Sequence, residues 1–340
     1  MNIEEIKRLR LAGQHLLSPV DAITAARDLC GIQAQFLGAA LHGLRIRAAT
    51  PTVEGLVKTW TLRGTVHLIP ESDLPLYIRK QGTAETVCES GWYQWLSGRG
   101  HALPPEREVY FARLVAESVA RGVDGREDLR RLCREAGMTE QEEPVLFSGW
   151  GGVIGELAQM GVICHKVQQE KAYRLCPAFE PLPEDKAWLE LGRRYFTHYG
   201  PATLRDAAYF FRLPQKDIRV WLQQLQVESF VREGREYFYI PGATVDVGVP
   251  ECLFLAGFDQ LMLGYRKEDN PFLPPEHLRG IFNLTGIVLP PVLLHGRVVG
   301  KWKQEKQGVK VTLFEKTSKK DQRLIQRAGL ALWPRVDIEV

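Results

Sequence analysis

The sequence predicts an α+β protein in which a helix–helix–helix–hairpin unit is used three times in tandem, followed by a β-meander region. Three observations predict it. Stretches of helical apolar spacing recur in groups of three along the first two-thirds of the chain. Each group closes on one or two short strand-like stretches, with polar turn residues where the hairpin is complete. After about Pro250 the pattern changes to strand-like alternation broken by glycine turns.

The third copy is the clearest. "EDKAWLELGRRYFTHYG" has apolar residues at helical spacing and ends at Gly200. "PATLRDAAYFFRL" is a second helix with Thr203 as N-cap, and "PQKDIRVWLQQL" a third, opened by Pro214. "VESFVREGREYFYIP" reads as two strands around Glu233-Gly234. That order is the order of a winged helix-turn-helix, whose third helix usually enters the major groove while the hairpin is the wing. The second copy repeats it in "PPEREVYFARLVAESVARG", "DGREDLRRLCREAG", "LFSGWGGVIGELAQMG" and "VICHKVQQEKAYRLC", with its turn at Gln168 to Glu170. In the first copy, helices are expected over "SPVDAITAARDLCG", "FLGAALHGLRIRA" and "TVEGLVKTWTLRG", then a strand in "TVHLIP". The expected boundaries are 1–102, 103–182, 183–245 and 246–340. In the last segment, turns are expected at His295-Gly296 and Gln307-Gly308, and "SKKDQRLIQRAGLALW" reads as an amphipathic helix.

Composition narrows the function classes. With 340 residues, 45% hydrophobic and 25% charged, the chain is long enough for several packed modules. A net charge of +3 does not by itself mark a nucleic-acid binder, so local clustering has to carry that argument. From His295 to Arg327 there are ten Lys/Arg against three Asp/Glu. Lys301 and Lys303 flank Trp302 and share one strand face. They serve either as solvated edge protection or as phosphate contacts. "MNIEEIKRLRLAG" is not a signal peptide, and "GIVLPPVLL" is too short to span a membrane, so no membrane association is expected. Six scattered cysteines without a C-x-x-C pair fit reduced thiols and a cytoplasmic protein, nucleoid-associated when on DNA. The histidines form no metal-binding spacing, and no metal is expected. Without a recognisable dimerisation segment, a monomer is expected.

One stretch does not fit a purely structural reading. "CGIQAQFLG" places Gln33 and Gln35 either side of Ala34, in the slot where a winged helix carries its short first strand. An extended segment would put both amides on one face and Ile32, Ala34 and Phe36 on the other. On a helix they would lie about 200° apart. The corresponding slots of the other copies, "VDGREDL" and "GPATLRD", carry no such pair. Either the amides satisfy backbone groups at a strand end, or they hold something.

"GIQAQ", then "TLRGTVHLIP", "YGPATLRDAAYF", "LAGFDQLMLGYR" and "VLLHGRVVGKWK" follow in an order that resembles the bacterial winged-helix DNA glycosylases of the YcaQ/AlkZ type over nearly the whole chain. That family carries glutamine, an apolar residue, then glutamine or aspartate as its catalytic signature, and Gln33-Ala34-Gln35 matches the two-glutamine branch. The resemblance implies tandem winged helices around a concave DNA channel and hydrolysis of the N-glycosidic bond of alkylated purines. It further implies, in some members, unhooking of interstrand crosslinks, with double-stranded DNA as partner and no cofactor.

Two amides suit that chemistry only in a limited way. Glycosidic cleavage passes through an oxocarbenium-like sugar. A purine alkylated at N7 or N3 is already cationic and leaves without help. An amide oxygen can accept a hydrogen bond from the attacking water, but it is no general base at neutral pH. Gln33 and Gln35 would act by positioning and dipole. His67, in "RGTVHLIP", and Asp259, in "GFDQLMLGYR", are candidates for catalytic support. Asp259 is alternatively expected to pair with Arg266. Arg63, Arg205, Lys216, Arg219, Arg266, Lys301 and Lys303 are candidate DNA contacts, each with the alternative of a solvated charge. Trp92 and Trp95 are expected in the core rather than as stacking residues. The competing functions are a non-enzymatic DNA-binding regulator, a partner-binding winged-helix protein, and a glycosylase with lyase activity. The last needs a desolvated amine that the sequence does not single out.

Overall fold

The computed structural model describes residues 1–61, 64–149, 151–242 and 248–339. Its strands are β1 (Ile32–Gln33), β2 (Leu56–Trp60), β3 (Val66–Pro70), β4 (Ile163–His165), β5 (Tyr173–Leu175), β6 (Glu228–Arg232), β7 (Arg235–Tyr239), β8 (Cys252–Phe254), β9 (Pro291–Leu294), β10 (Arg297–Glu305), β11 (Gly308–Leu313) and β12 (Val336–Glu339). The fold mixes helix and sheet, and the chain divides into two compact units. One is Met1–Thr52 with Trp188–Val340, the other Val53–Ala187.

In the first unit, helices Glu184–His198, Leu204–Phe211 and Gln215–Gln224 are followed by the β6–β7 hairpin, in the order expected from sequence. Thr203 caps the second helix by accepting the Asp206 N–H, and the Asp206 side chain returns the bond to the Thr203 N–H. Glu233 and Gly234 both take positive φ, 50° and 71°, between the paired Arg232 and Arg235. Two left-handed residues make the tight turn whose twist matches the strands. Tyr195, Tyr199, Phe210 and Phe211 stack into an aromatic core.

The C-terminal sheet runs β12-β11-β10-β9-β8, antiparallel except for the parallel β11–β12 edge. The expected turns fall between β9 and β10 and between β10 and β11. Ser318 caps the amphipathic helix Lys319–Leu330, whose Leu324 and Ile325 complete a core with Phe254, Trp302, Val311 and Trp333. At Gly300 a Cβ would meet the Thr312 oxygen at 2.5 Å, so only glycine lets β10 close on β11 there.

In the second unit, helices Pro105–Ala120, Arg126–Glu135 and Gly152–Gln159 precede the β4–β5 pair. The strands β3, β2, β4 and β5 lie side by side in that order. The helix expected over "TVEGLVKTWTLRG" is not formed: Leu56–Trp60 is strand β2, paired antiparallel with β3. Val57 and Thr59 are fully buried while Lys58 and Trp60 between and beyond them are half-buried. That period of two, with β-branched and aromatic side chains, outweighs the helical reading. Trp95 is not core either. It is exposed, stacked on Trp92 at 5.1 Å and covered by the Arg99 guanidinium at 4.1 Å. No helix among the described residues is long and apolar enough to cross a membrane.

Candidate active site

The glutamine turn is built by the helices that flank it. Helix Ala22–Asp28, capped by Asp21, ends in two left-handed residues, Cys30 (φ 52°) and Gly31 (φ 91°). They swing the chain into β1, and the Gly31 N–H closes the helix end on the Ala26 oxygen. Ile32 and Ala34 are buried as the period-two reading expects. Helix Leu37–Arg45 begins immediately afterwards, so the extended run stops at Gln33 and Gln35 lies in a bend. The alternation therefore fails at Phe36, which is 49% exposed instead of buried.

The two amides consequently differ. Gln33 is only 6% exposed, yet its amide makes no hydrogen bond among the described residues. Gln35 is exposed. The side chain is thus largely covered while its polar end keeps room for a bond from water or a ligand. Phe36 is the N-cap of its helix and offers no side-chain acceptor; Ala39 and Ala40 donate to its carbonyl oxygen, which leaves the Leu37 and Gly38 N–H groups open among the described residues, beside the glutamines.

Behind the turn stands a satisfied ion pair. Arg47 donates two parallel bonds to Asp259, at 3.0 and 2.7 Å, and further bonds to the Gln14 and Gly43 oxygens. Asp259 also accepts the Ala256 and Leu261 N–H groups. Both side chains are essentially fully buried. The expected Asp259–Arg266 pair is replaced by this one. Arg266 turns instead to Glu268 and Asp269, at 3.6 and 3.7 Å. Phe258 precedes Asp259 in the left-handed region (φ 55°) and stacks on Phe36, ring centroids 5.5 Å apart. Sequence reasoning missed Arg47 and Phe36. An arginine inside the apolar run "LRIRAA" was the available signal for the first.

His67 lies on β3 in the second unit, 1% exposed, with Nδ1 2.8 Å from the Thr61 hydroxyl and 3.0 Å from the Thr65 oxygen. Arg63 lies outside the described residues. Arg205 and Arg219 are brought together: with Gln215, Arg235, Glu236 and Asp269 they line an open recess of about 260 Å³ between the helices and the β6–β7 hairpin. Lys216 is exposed on the same helix as Arg219 but does not line that recess. Lys301 and Lys303 share one face of β10, because the intervening Trp302 is buried and donates to the Leu255 oxygen. They sit opposite Thr312 and Lys310.

Two groups among the described residues could hold a metal ion: His15, Asp28 and His198, and Glu276, His277 and Glu315. In the first, His15 Nε2 lies 2.8 Å and His198 Nε2 3.5 Å from Asp28, and His198 Nδ1 faces the Gly13 oxygen. The three residues come from three separate helix ends, so no sequence spacing could announce them. A second buried cluster in the other unit, Glu108 against Glu156, was equally silent in the sequence.

The class of the protein is that of the AlkZ-like DNA glycosylases: the family model of that description matches residues 26–333, and the chain belongs to this family. It is a DNA glycosylase, with mixed helix and sheet content in keeping with its relatives. It is 29% identical over 318 residues to an interstrand DNA cross-link repair glycosylase of Streptomyces sahachiroi, covering 86% of this chain and 84% of the relative. The solved structure of Streptomyces sahachiroi DNA glycosylase AlkZ superposes with a TM-score of 0.74 at 25% identity, over 100% of this chain and 99% of that one.

Proposed function

We propose that the chain hydrolyses the N-glycosidic bond of purines made cationic by alkylation at N7 or N3, crosslinked purines included, with the attacking water held by Gln33 and Gln35. The observation that carries this is Gln33, largely covered and with its amide making no hydrogen bond among the described residues, at the mouth of a turn that exposes Gln35. In the reaction the C1′–N bond breaks and its electron pair neutralises the purine. The water oxygen bonds to C1′ and its proton passes to solvent. Gln33 and Gln35 accept from that water and steady the oxocarbenium charge by dipole. Neither can take up the proton, which restricts the enzyme to leaving groups that depart unaided. The open N–H groups of helix Leu37–Arg45 suit a backbone phosphate beside the sugar.

The crosslink assignment is supported by the likeness to the interstrand DNA cross-link repair glycosylase of Streptomyces sahachiroi. In this reading the four segments 1–102, 103–182, 183–245 and 246–340 are three winged-helix modules and a basic C-terminal region. They bind double-stranded DNA along a channel as a cytoplasmic monomer without a cofactor. Arg63, Arg205, Lys216, Arg219, Arg266, Lys301 and Lys303 contact phosphates. His67 is kept as a candidate for catalytic support. Asp259 acts on it indirectly, by fixing the loop behind the turn through Arg47. The test is base release from duplexes carrying defined lesions, 7-methylguanine, 3-methyladenine and an N7–N7 crosslink, with the Gln33→Ala/Gln35→Ala protein beside the parent. Cationic purines should be released and normal purines not. Undiminished release by the double variant would remove the glutamines from the mechanism.

A further inference from the structure

We propose that His15, Asp28 and His198 form a structural site for a zinc ion, which takes no part in cleaving the glycosidic bond. The inference does not depend on the glycosylase reading. His15 lies two residues past helix Ile3–Gly13, Asp28 ends helix Ala22–Asp28, and His198 ends helix Glu184–His198. One ligand atom from each residue lies within 4.8 Å of the other two. The side chains are 12%, 18% and 17% exposed, so the cluster is largely sheltered from water.

The bonding of His198 points to an ion. A carbonyl oxygen only accepts, so the Nδ1 atom that meets the Gly13 oxygen at 3.0 Å carries the ring proton. Burial lowers the pKa of the ring and keeps it neutral at pH 7. Nε2 then turns a lone pair toward the Asp28 carboxylate, 3.5 Å away, with no proton to share. Two acceptors that face each other out of water repel unless a cation lies between them. A backbone carbonyl holding one ring nitrogen while the other points inward is also how metal-bound histidines are oriented. His15 Nε2 meets the other Asp28 oxygen at 2.8 Å, and its proton would move to Nδ1 or to solvent when the ion binds. The neighbouring Arg193 and Arg194 are both bonded to Glu190, which offsets their charge.

The frame suits a cation and is rigid. Three helix C-termini meet here, each with its partial negative charge. A Cβ at Gly13 would meet the His198 oxygen at 2.6 Å, so two of the helices end backbone against backbone. His15 is held left-handed (φ 58°), with its N–H on the Ala12 oxygen. Two imidazoles and a carboxylate, with water as fourth ligand, are a usual zinc set. Asp28 stands two residues before Cys30, where the chain swings toward Gln33, so the ion would pin the start of the glutamine turn to the long helix.

The test uses untagged full-length protein, first stripped with a chelator. Added Co2+ should give the visible d–d bands of a four-coordinate site, without a near-ultraviolet thiolate band, saturating at one equivalent and displaced by Zn2+. His15→Gln and His198→Gln should each weaken Zn2+ binding about a hundredfold or more, read by competition with a chromophoric chelator. Zn2+ should raise the melting temperature of the parent, and of His277→Gln as a control for the Glu276–His277–Glu315 group, but not of the other two variants. A parent without such bands, a thiolate band in their place, or unchanged Zn2+ affinity in both variants would overturn the site. The parent's cobalt spectrum decides even if a variant fails to fold, and none of the readouts needs base release.

Discussion

Replacing Glu156 by glutamine should stabilise the Val53–Ala187 unit at neutral and alkaline pH and flatten its dependence on pH. Glu156, on helix Gly152–Gln159, and Glu108, on helix Pro105–Ala120, are 1% and 2% exposed, in a core with Phe111, Ala112, Val115 and Leu157. Burial, and then the Glu108 carboxylate beside it, holds the Glu156 proton on well above the usual carboxylate range. One Glu156 oxygen, Oε2, has no partner among the described residues. In the unfolded chain the same carboxyl releases its proton near 4.5. The folded state therefore carries the extra proton through the neutral range. Because the folded pKa is raised, the contribution to stability is full below the unfolded pKa and is lost as pH climbs toward the folded one. The slope is about 1.4 kcal/mol per pH unit, or about 2.7 kcal/mol between pH 6 and pH 8. Glutamine keeps the volume and an N–H donor for Glu108 but has no proton to lose. Urea unfolding of parent and variant at pH 6, 7 and 8 measures the difference. The variant should gain on the parent by about that amount across the interval. Parallel pH curves, or a gap that closes as pH rises, would refute the reasoning.

Other outcomes follow from the same geometry. Asp259→Ala leaves the Arg47 guanidinium buried without its carboxylate and should cost about 3–5 kcal/mol in unfolding measurements. Gln33→Ala/Gln35→Ala should slow release of 7-methylguanine about a hundredfold or more, while fluorescence anisotropy shows DNA affinity nearly unchanged. Arg205→Ala and Arg219→Ala should each weaken binding of any duplex and lower the slope of log affinity against log salt by about one, read from binding at several salt concentrations. Burial alone would raise the Asp28 carboxyl, but the His15 hydrogen bond and the nearby His198 and Arg194 charges outweigh it and bring it below its ordinary value. The stability it adds is present at neutral pH and lost as pH falls through its folded pKa. Asp28→Asn should accordingly lower the melting temperature at pH 7 and have less effect near pH 3, where scanning calorimetry would show the two proteins converging.

What could be read from the chain alone was what depends on near neighbours. Thr203 announced a helix start because its hydroxyl serves an N–H three residues on. Glu233-Gly234 announced a hairpin because such turns need two left-handed residues. The Lys301-Trp302-Lys303 alternation placed both lysines on one face, and the structure buries the tryptophan between them. Gln33 and Gln35 stood out because no neighbouring pattern required two amides. The helix expected over "TVEGLVKTWTLRG" failed because helical and strand spacing overlap in a short apolar run, and the pairing of β2 with β3 decided between them.

Partner choice was decided by tertiary structure. Arg47 and Asp259 are 212 residues apart, and nothing in either local sequence says that they meet. The sequence offered Arg266 to Asp259 because it was near in the chain. Glu108 and Glu156 look like ordinary surface charges on two amphipathic helices until those helices face each other. The difference between Gln33 and Gln35 has the same origin: helix Leu37–Arg45 begins so soon after β1 that the second amide is carried into solvent while the first stays buried. Residue type and spacing decide which local bonds a chain can make. Which distant groups lose their water together depends on how the elements pack, and here packing turned an unusual glutamine pair into one largely buried side chain, unpartnered among the described residues, beside an exposed one.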